Sequence, residues 1–313
     1  MVKDFQDIRG IKGEYSFSLL CKREVVGVGI GQKEVQGKPV SAVSIVILVE
    51  KKIRELLLPL EDRLPSELDA IPTDVVSLTG DDTFMKVRLR QSPLPGDNRT
   101  RRWRPAPGGV SVGHYRLMGA GTLGAWVYDL TSGEPLLLSC WHVIANMGDC
   151  KRGDPVLQPA VLDGGKLPDD IIAYLDRWCD VRMIVSTQNL NDARQRLREL
   201  LHLKLQVPTN EFDAAVARPI SDSVVSPEIL GIGHVQGVAA RIEIGTKVVK
   251  SGRTTGVTWG KIKLTDLDIF VRYPSGIALF VDQIMVASIG VEPVIIQPGV
   301  SGSPLCSFST RRR

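Results

Sequence analysis

The 313-residue chain is 43% hydrophobic and 24% charged, with 30 glycines and 19 prolines. These are ordinary globular values, and they exclude a disordered chain, a collagen-like repeat and a disulfide-dense mini-protein. The 39 Lys and Arg against 35 Asp and Glu leave a net charge of +4, a mild excess that does not demand the concentrated basic face of a nucleic-acid binder. The length predicts two domains. Five cysteines, an odd number without a close C-x-x-C pair, argue against a disulfide framework or a zinc ribbon. The start, MVKDFQDIRG, lacks the basic-then-apolar pattern of a signal peptide. The longest apolar run, residues 42–49, is too short to span a bilayer. A soluble, cytoplasmic protein without nucleic-acid or membrane partners is expected.

In chain order, VVGVGI (residues 25–30) and AVSIVILV (42–49) flank the turn-rich GQKEVQGKPV, which predicts a hairpin. In the following KKIRELLLPLEDRLPSELDAIP, Pro59, Pro65 and Pro72 forbid a long helix. TDVVSL (73–78) predicts a third strand, so residues 1–90 read as a small α/β unit. Residues 91–108, with four prolines and the cluster RTRRWR, read as a linker. That cluster could serve as a phosphate-and-stacking patch, but a solvated linker whose tryptophan packs on a neighbouring domain is the preferred reading.

From 109 to 313, short β-like segments separated by Gly and Asp predict a mainly β domain, a barrel or a sandwich. A helical insertion near 189–204, NLNDARQRLRELLHL, takes Asn191 as its N-cap. It should bury Leu197, Leu200, Leu201 and Leu203 and keep its arginines wet.

Four histidines, His114, His142, His202 and His234, are the candidates for a general base at neutral pH. His142 ends the apolar run EPLLLSCWHVI, where a strand end would hold an imidazole rigidly yet near the surface. Taken alone it reads as a structural histidine. Asp213 opens the small apolar segment of EFDAAVARP and could orient an imidazole through Nδ1–H, though alone it reads as a turn aspartate. Ser301 lies in QPGVSGSP between Gly299 and Gly302. Two backbone N–H groups converging on one point require unusual φ/ψ angles near a nucleophile, although by itself this is also a plain surface turn. GIGHVQG lacks both the spacing and the following helix of a dinucleotide loop.

Together the three segments are less ambiguous. LLLSCWHVIAN, EFDAAVA and PGVSGSP, with VVKSGRTTGVTWGKI and a later DQI, resemble in order and context the chymotrypsin/trypsin-like serine peptidases. They look most like the bacterial, disulfide-free branch. The resemblance covers about residues 108–304 and implies a mainly β, chymotrypsin-like double β-barrel with its cleft between the barrels. It implies His142 as general base and acid, Asp213 as its orienter and Ser301 as nucleophile, with the amides of Gly299 and Ser301 forming the oxyanion hole. It further implies a polypeptide substrate and neither metal nor cofactor; a homo-oligomer is compatible with it. The SGRTTG segment matches a family signature and is read as a β-turn.

Three positions depart from the family pattern. Val300 stands where an aspartate usually fixes the oxyanion loop, and a displaced donor costs on the order of 10²–10³ in turnover. Cys140 and Trp141 precede the histidine in place of small or polar residues. Arg313 follows Ser301 by only twelve residues, so the second barrel is expected to be incomplete and the chain truncated. The competing expectation is a catalytically impaired protease-like fold that binds proteins.

Overall fold

The computed structural model describes residues 5–35, 38–78, 98–239, 241–289 and 302–307. The amino-terminal segment begins with helix α1 (Phe5–Leu20), followed by β1 (Val25–Val35) and β2 (Lys38–Val49). The two strands pair antiparallel, with Val28 opposite Ile47 and Ile30 opposite Ile45, as their β-branched runs and intervening turn predict. Two short 3-10 turns, Glu55–Leu57 and Leu60–Asp62, then carry the chain to β3 (Glu67–Leu68) and β4 (Ile71–Ser77), and β4 pairs parallel with β2.

The other edge of β1 determines where this unit goes. Gly27, Gly29 and Gly31 alternate along the strand and therefore share one face. A Cβ at Gly31 would come within 2.5 Å of the Leu264 side chain, and one at Gly29 within 3.2 Å of Leu267. The bare glycine face thus receives the leucines of β18 (Gly256–Tyr273), with which β1 pairs antiparallel. α1 reinforces the joint. Lys12 Nζ lies 2.6 Å from Asp268 Oδ2, Ser16 Oγ donates to the same oxygen at 2.5 Å, and Arg9 Nε lies 2.5 Å from Asp266. No periodic apolar stripe announces α1 in the sequence, because polar contacts supply much of its hold.

β5 (Ala106–Gly108) then opens the downstream region, and β6 (Ser111–His114), β7 (Gly121–Thr122), β8 (Ala125–Tyr128) and β9 (Pro135–Ser139) precede the one-turn helix α2 (Trp141–Ile144). β10 (Pro155–Leu157) and β11 (Ile171–Trp178) continue the sheet. β12 (Met183–Val185), helix α3 (Leu190–His202) and β13 (Thr209–Asn210) leave it, and β14 (Ala215–Pro219) returns. This seven-stranded sheet has the order β7-β6-β10-β11-β14-β9-β8. β15 (Val225–Ile229) and β16 (Gly233–His234) form a small sheet with β5.

The last strands are β17 (Lys247–Gly252), the long hairpin β18–β19 (β19, Gly276–Ser288) and β20 (Cys306–Ser307), which pairs with β17. Together with β12, β13 and the amino-terminal strands they make a ten-stranded sheet. The protein is mainly β. No helix among the described residues is long and apolar enough to cross a membrane.

Three local expectations change. The N-cap of α3 is Asn189, whose side chain accepts from the Asn191 N–H at 3.0 Å; a cap must precede the first helical residue, and Asn191 lies inside. Leu197 and Leu200 are buried, whereas Leu201 and Leu203 are exposed. Arg194 faces inward instead, with two guanidinium nitrogens on the Val25 carbonyl at 3.1 and 3.0 Å. Residues 79–97, including much of the expected linker, lie outside the described residues. The described part of RTRRWR is built into the fold. Arg99 reaches Ser251 Oγ, Arg102 pairs with Asp170, and Arg104 donates to Gln158 and to the Asp170 carbonyl.

Lys250 is buried on β17, where its ammonium donates to Thr255 Oγ1. Burial, followed by the charge of Arg99, lowers its pKa to about 7, as expected for an ammonium removed from water. An unfolded lysine titrates near 10.4. Between about pH 7 and pH 10 the unfolded chain therefore binds the proton that the folded lysine releases, and stability rises with pH in that window. Denaturant unfolding at a series of pH values should show this rise in the wild type and its loss in Lys250→Met. An identical rise in the variant would contradict the assignment.

Candidate active site

β9 stops at Ser139, whose hydroxyl donates to the Thr122 carbonyl at 2.8 Å. Cys140 remains extended, and the N–H groups of Val143 and Ile144 both bond back to its carbonyl at 3.1 Å. That turn places His142 in α2 rather than on the strand end expected from the sequence, and it is 3% exposed. The β14–β9 register, with Ala215 opposite Ser139, carries the residues just before β14 alongside the start of α2. Asp213 arrives beside His142 in this way.

The contacts are specific. His142 Nδ1 lies 2.5 Å from Asp213 Oδ2, and the His142 backbone N–H donates to Oδ1 at 3.2 Å. Tyr273, at the end of β18, donates its hydroxyl to Oδ2 at 2.8 Å. Burial would raise the pKa of Asp213, but the imidazole, then its hydrogen bond, and then the tyrosine hydroxyl outweigh burial and hold the carboxyl below its usual value. An ionised carboxylate only accepts, so Nδ1 carries the proton and Nε2 presents a lone pair. Nε2 is buried and without a hydrogen-bond partner among the described residues.

Gly299, Val300 and Ser301 lie outside the described residues, which resume at Gly302. Gly302 has φ +101°, and a Cβ there would lie 2.4 Å from the Thr122 carbonyl and 2.5 Å from Ser139 Oγ. The residue after Ser301 is thus glycine because the backbone packs directly on β7 and the end of β9. Ser303 Oγ is also buried and without a partner among the described residues, so it and Nε2 do not bond each other.

Cys140, His142 and Asp213 present donor atoms within 4.8 Å of one another, but the imidazole Nδ1 and the carboxylate are already bonded to each other. Burial, and then the Asp213 charge, push the Cys140 thiol well above its usual pKa. A protonated thiol is a poor nucleophile and a poor metal ligand.

The other histidines have different surroundings. His114 is fully buried, with Nε2 3.1 Å from Asp154 and Nδ1 accepting from the Arg116 N–H, so both ring nitrogens are used in holding β6. His202 ends α3, and His234 is exposed beside Glu228. The SGRTTG segment forms the β17–β18 turn. Arg253 is 1% exposed there and pairs through Nε with Asp163 at 2.8 Å, while its N–H donates to Thr122 Oγ1. The turn is thus also a structural anchor that rests on a buried arginine. Tyr273 is the contact sequence reasoning missed, since a tyrosine before Pro-Ser-Gly reads as an ordinary strand end.

No protein-family model matches the chain, and no curated protein matches it. Solved structures similar to it include a Nocardiopsis protease, at 20% identity and a TM-score of 0.38, covering 64% of this chain and 78% of the other. Protease A of Thermobifida fusca is 15% identical with a TM-score of 0.37, covering 64% and 77%. A chymotrypsin of Cellulomonas bogoriensis is 16% identical with a TM-score of 0.36, covering 64% and 76%.

Because the folded pKa of Asp213 lies below the unfolded value of roughly 3.9, its ionisation stabilises the fold above that pH. The contribution is lost as pH falls through the lower folded value. Asp213→Asn should lower stability at neutral pH by about 1–3 kcal/mol and flatten the acid-side loss in denaturant unfolding below about pH 4. An unchanged acid limb would contradict the pairing.

Proposed function

We propose that the chain is a serine endopeptidase that cleaves peptide bonds through an acyl-enzyme on Ser301. One observation carries the reading. An imidazole is oriented by a carboxylate through Nδ1 and keeps a buried Nε2 that has no partner among the described residues, while the residue next to Ser301 packs against Ser139, three positions before that imidazole. The sequence similarity around His142, Asp213 and Ser301 supports the same roles.

In this reading Ser301 Oγ attacks the scissile carbonyl carbon as its proton passes to His142 Nε2. Asp213 is already ionised and stabilises the imidazolium without accepting the proton itself. The amides of Gly299 and Ser301 receive the oxyanion. Collapse breaks the C–N bond, and the imidazolium protonates the departing amine. Water then repeats the cycle on the ester, losing its proton to Nε2. Val300 leaves the oxyanion loop without the usual aspartate, so the packing of Gly302 on Thr122 and Ser139 carries more of the task of holding that loop.

A fluorophosphonate should form a covalent adduct mapped to Ser301 in the folded, full-length protein. Ser301→Ala should abolish the adduct and lower peptide hydrolysis by up to about 10⁶-fold. A folded wild-type protein without adduct, or a variant whose turnover falls only a few fold, would overturn the proposal.

A further inference from the structure

Asp213 Oδ2 receives two donors at once, the His142 ring and the Tyr273 hydroxyl at 2.8 Å. Tyr273 is 2% exposed, and its position is set by neighbours on several sides. Its ring meets the His142 ring edge-on at 6.0 Å, meets Trp141 at 6.0 Å and stacks on Phe280 at 6.2 Å. Its carbonyl accepts from Gln188 at 2.5 Å. The strand that presents it is the one on which β1 lies and to which Lys12 and Ser16 of α1 are bonded.

We propose that Tyr273 is a positioning residue of the proposed triad, its hydroxyl fixing Asp213 Oδ2 and thereby the orientation and tautomer of His142. The inference rests on the peptidase reading above. A carboxylate oxygen has two lone-pair directions; the tyrosine occupies one, leaving the other to Nδ1–H. The same donation draws charge from Oδ2 and weakens its pull on the Nδ1 proton. The proton taken from Ser301 is then more readily passed on to the leaving amine. The ionisable groups that meet here are Cys140 and His142 on the β9–α2 turn, Asp213 before β14, and Tyr273 on β18. Burial, and then the Asp213 charge, push the phenol far above its usual pKa, so it remains a donor throughout the working range.

The test is the pH dependence of fluorophosphonate labelling at Ser301, with KM and kcat for a peptide substrate. Tyr273→Phe keeps the ring and removes only the donor. It should slow labelling about tenfold, leave KM within about twofold and raise the midpoint of the acid limb by about half a unit. Replacing Tyr273 with fluorotyrosine, of similar shape and a stronger donor, should move that midpoint the opposite way, and it serves equally if the phenylalanine variant fails to fold. Wild-type protein without labelling would remove the peptidase reading itself. Normal wild-type labelling with an unmoved acid limb in the variants would overturn the role of Tyr273 alone.

Discussion

The hydrogen bond between His142 Nδ1 and Asp213 Oδ2 is the constraint on which the proposed chemistry depends. A carboxylate removed from water carries a penalty of several kcal/mol unless donors surround it. Here three do, from the His142 ring, the His142 backbone and Tyr273. They come from α2 and from the end of β18, so the ion holds only when both sheets are assembled. The β14–β9 register and the early end of β9 at Ser139 then read as the means of bringing one aspartate beside one imidazole. The acceptor character of Nε2 follows from that bond, since a carboxylate on one ring nitrogen leaves the lone pair on the other.

A second dependence runs through β18. This strand pairs along one edge with β19 and along the other with β17 and then β1, and it ends at Tyr273. The amino-terminal strands therefore extend the sheet that seats the tyrosine. The alternating glycines of β1 allow the approach, and the buried Lys12–Asp268 pair secures it. Losing one partner of such a pair leaves an uncompensated charge, which links the amino-terminal helix energetically to the strand that reaches the site.

What could be read from sequence was what local pattern encodes. The 25–49 hairpin, the 73–78 strand and the helix after Asn189 follow from β-branched runs, turn residues and periodicity. His142 and Asp213 each read alone as structural and are picked out only by the joint resemblance of their segments; the structure brings the two side chains together. What long-range contact decides was not legible. α1 has no apolar period, and Arg99, Arg104 and Arg194 look like surface charges until the carbonyls they bind are known. Tyr273 lies sixty residues beyond Asp213, and no motif joins the two. Gly299 and Ser301 rest on the sequence pattern, with Gly302 as the structural marker beside them.

The most direct measurement is nitrogen and proton NMR of protein carrying ¹⁵N-labelled histidine, with the His142 signals assigned by their loss in His142→Gln. At neutral pH the expected result is a protonated Nδ1 with its proton far downfield and an unprotonated Nε2. An Nε2–H tautomer, or an imidazole averaging between the two forms, would contradict the orienting role of Asp213 and with it the proposed proton transfer.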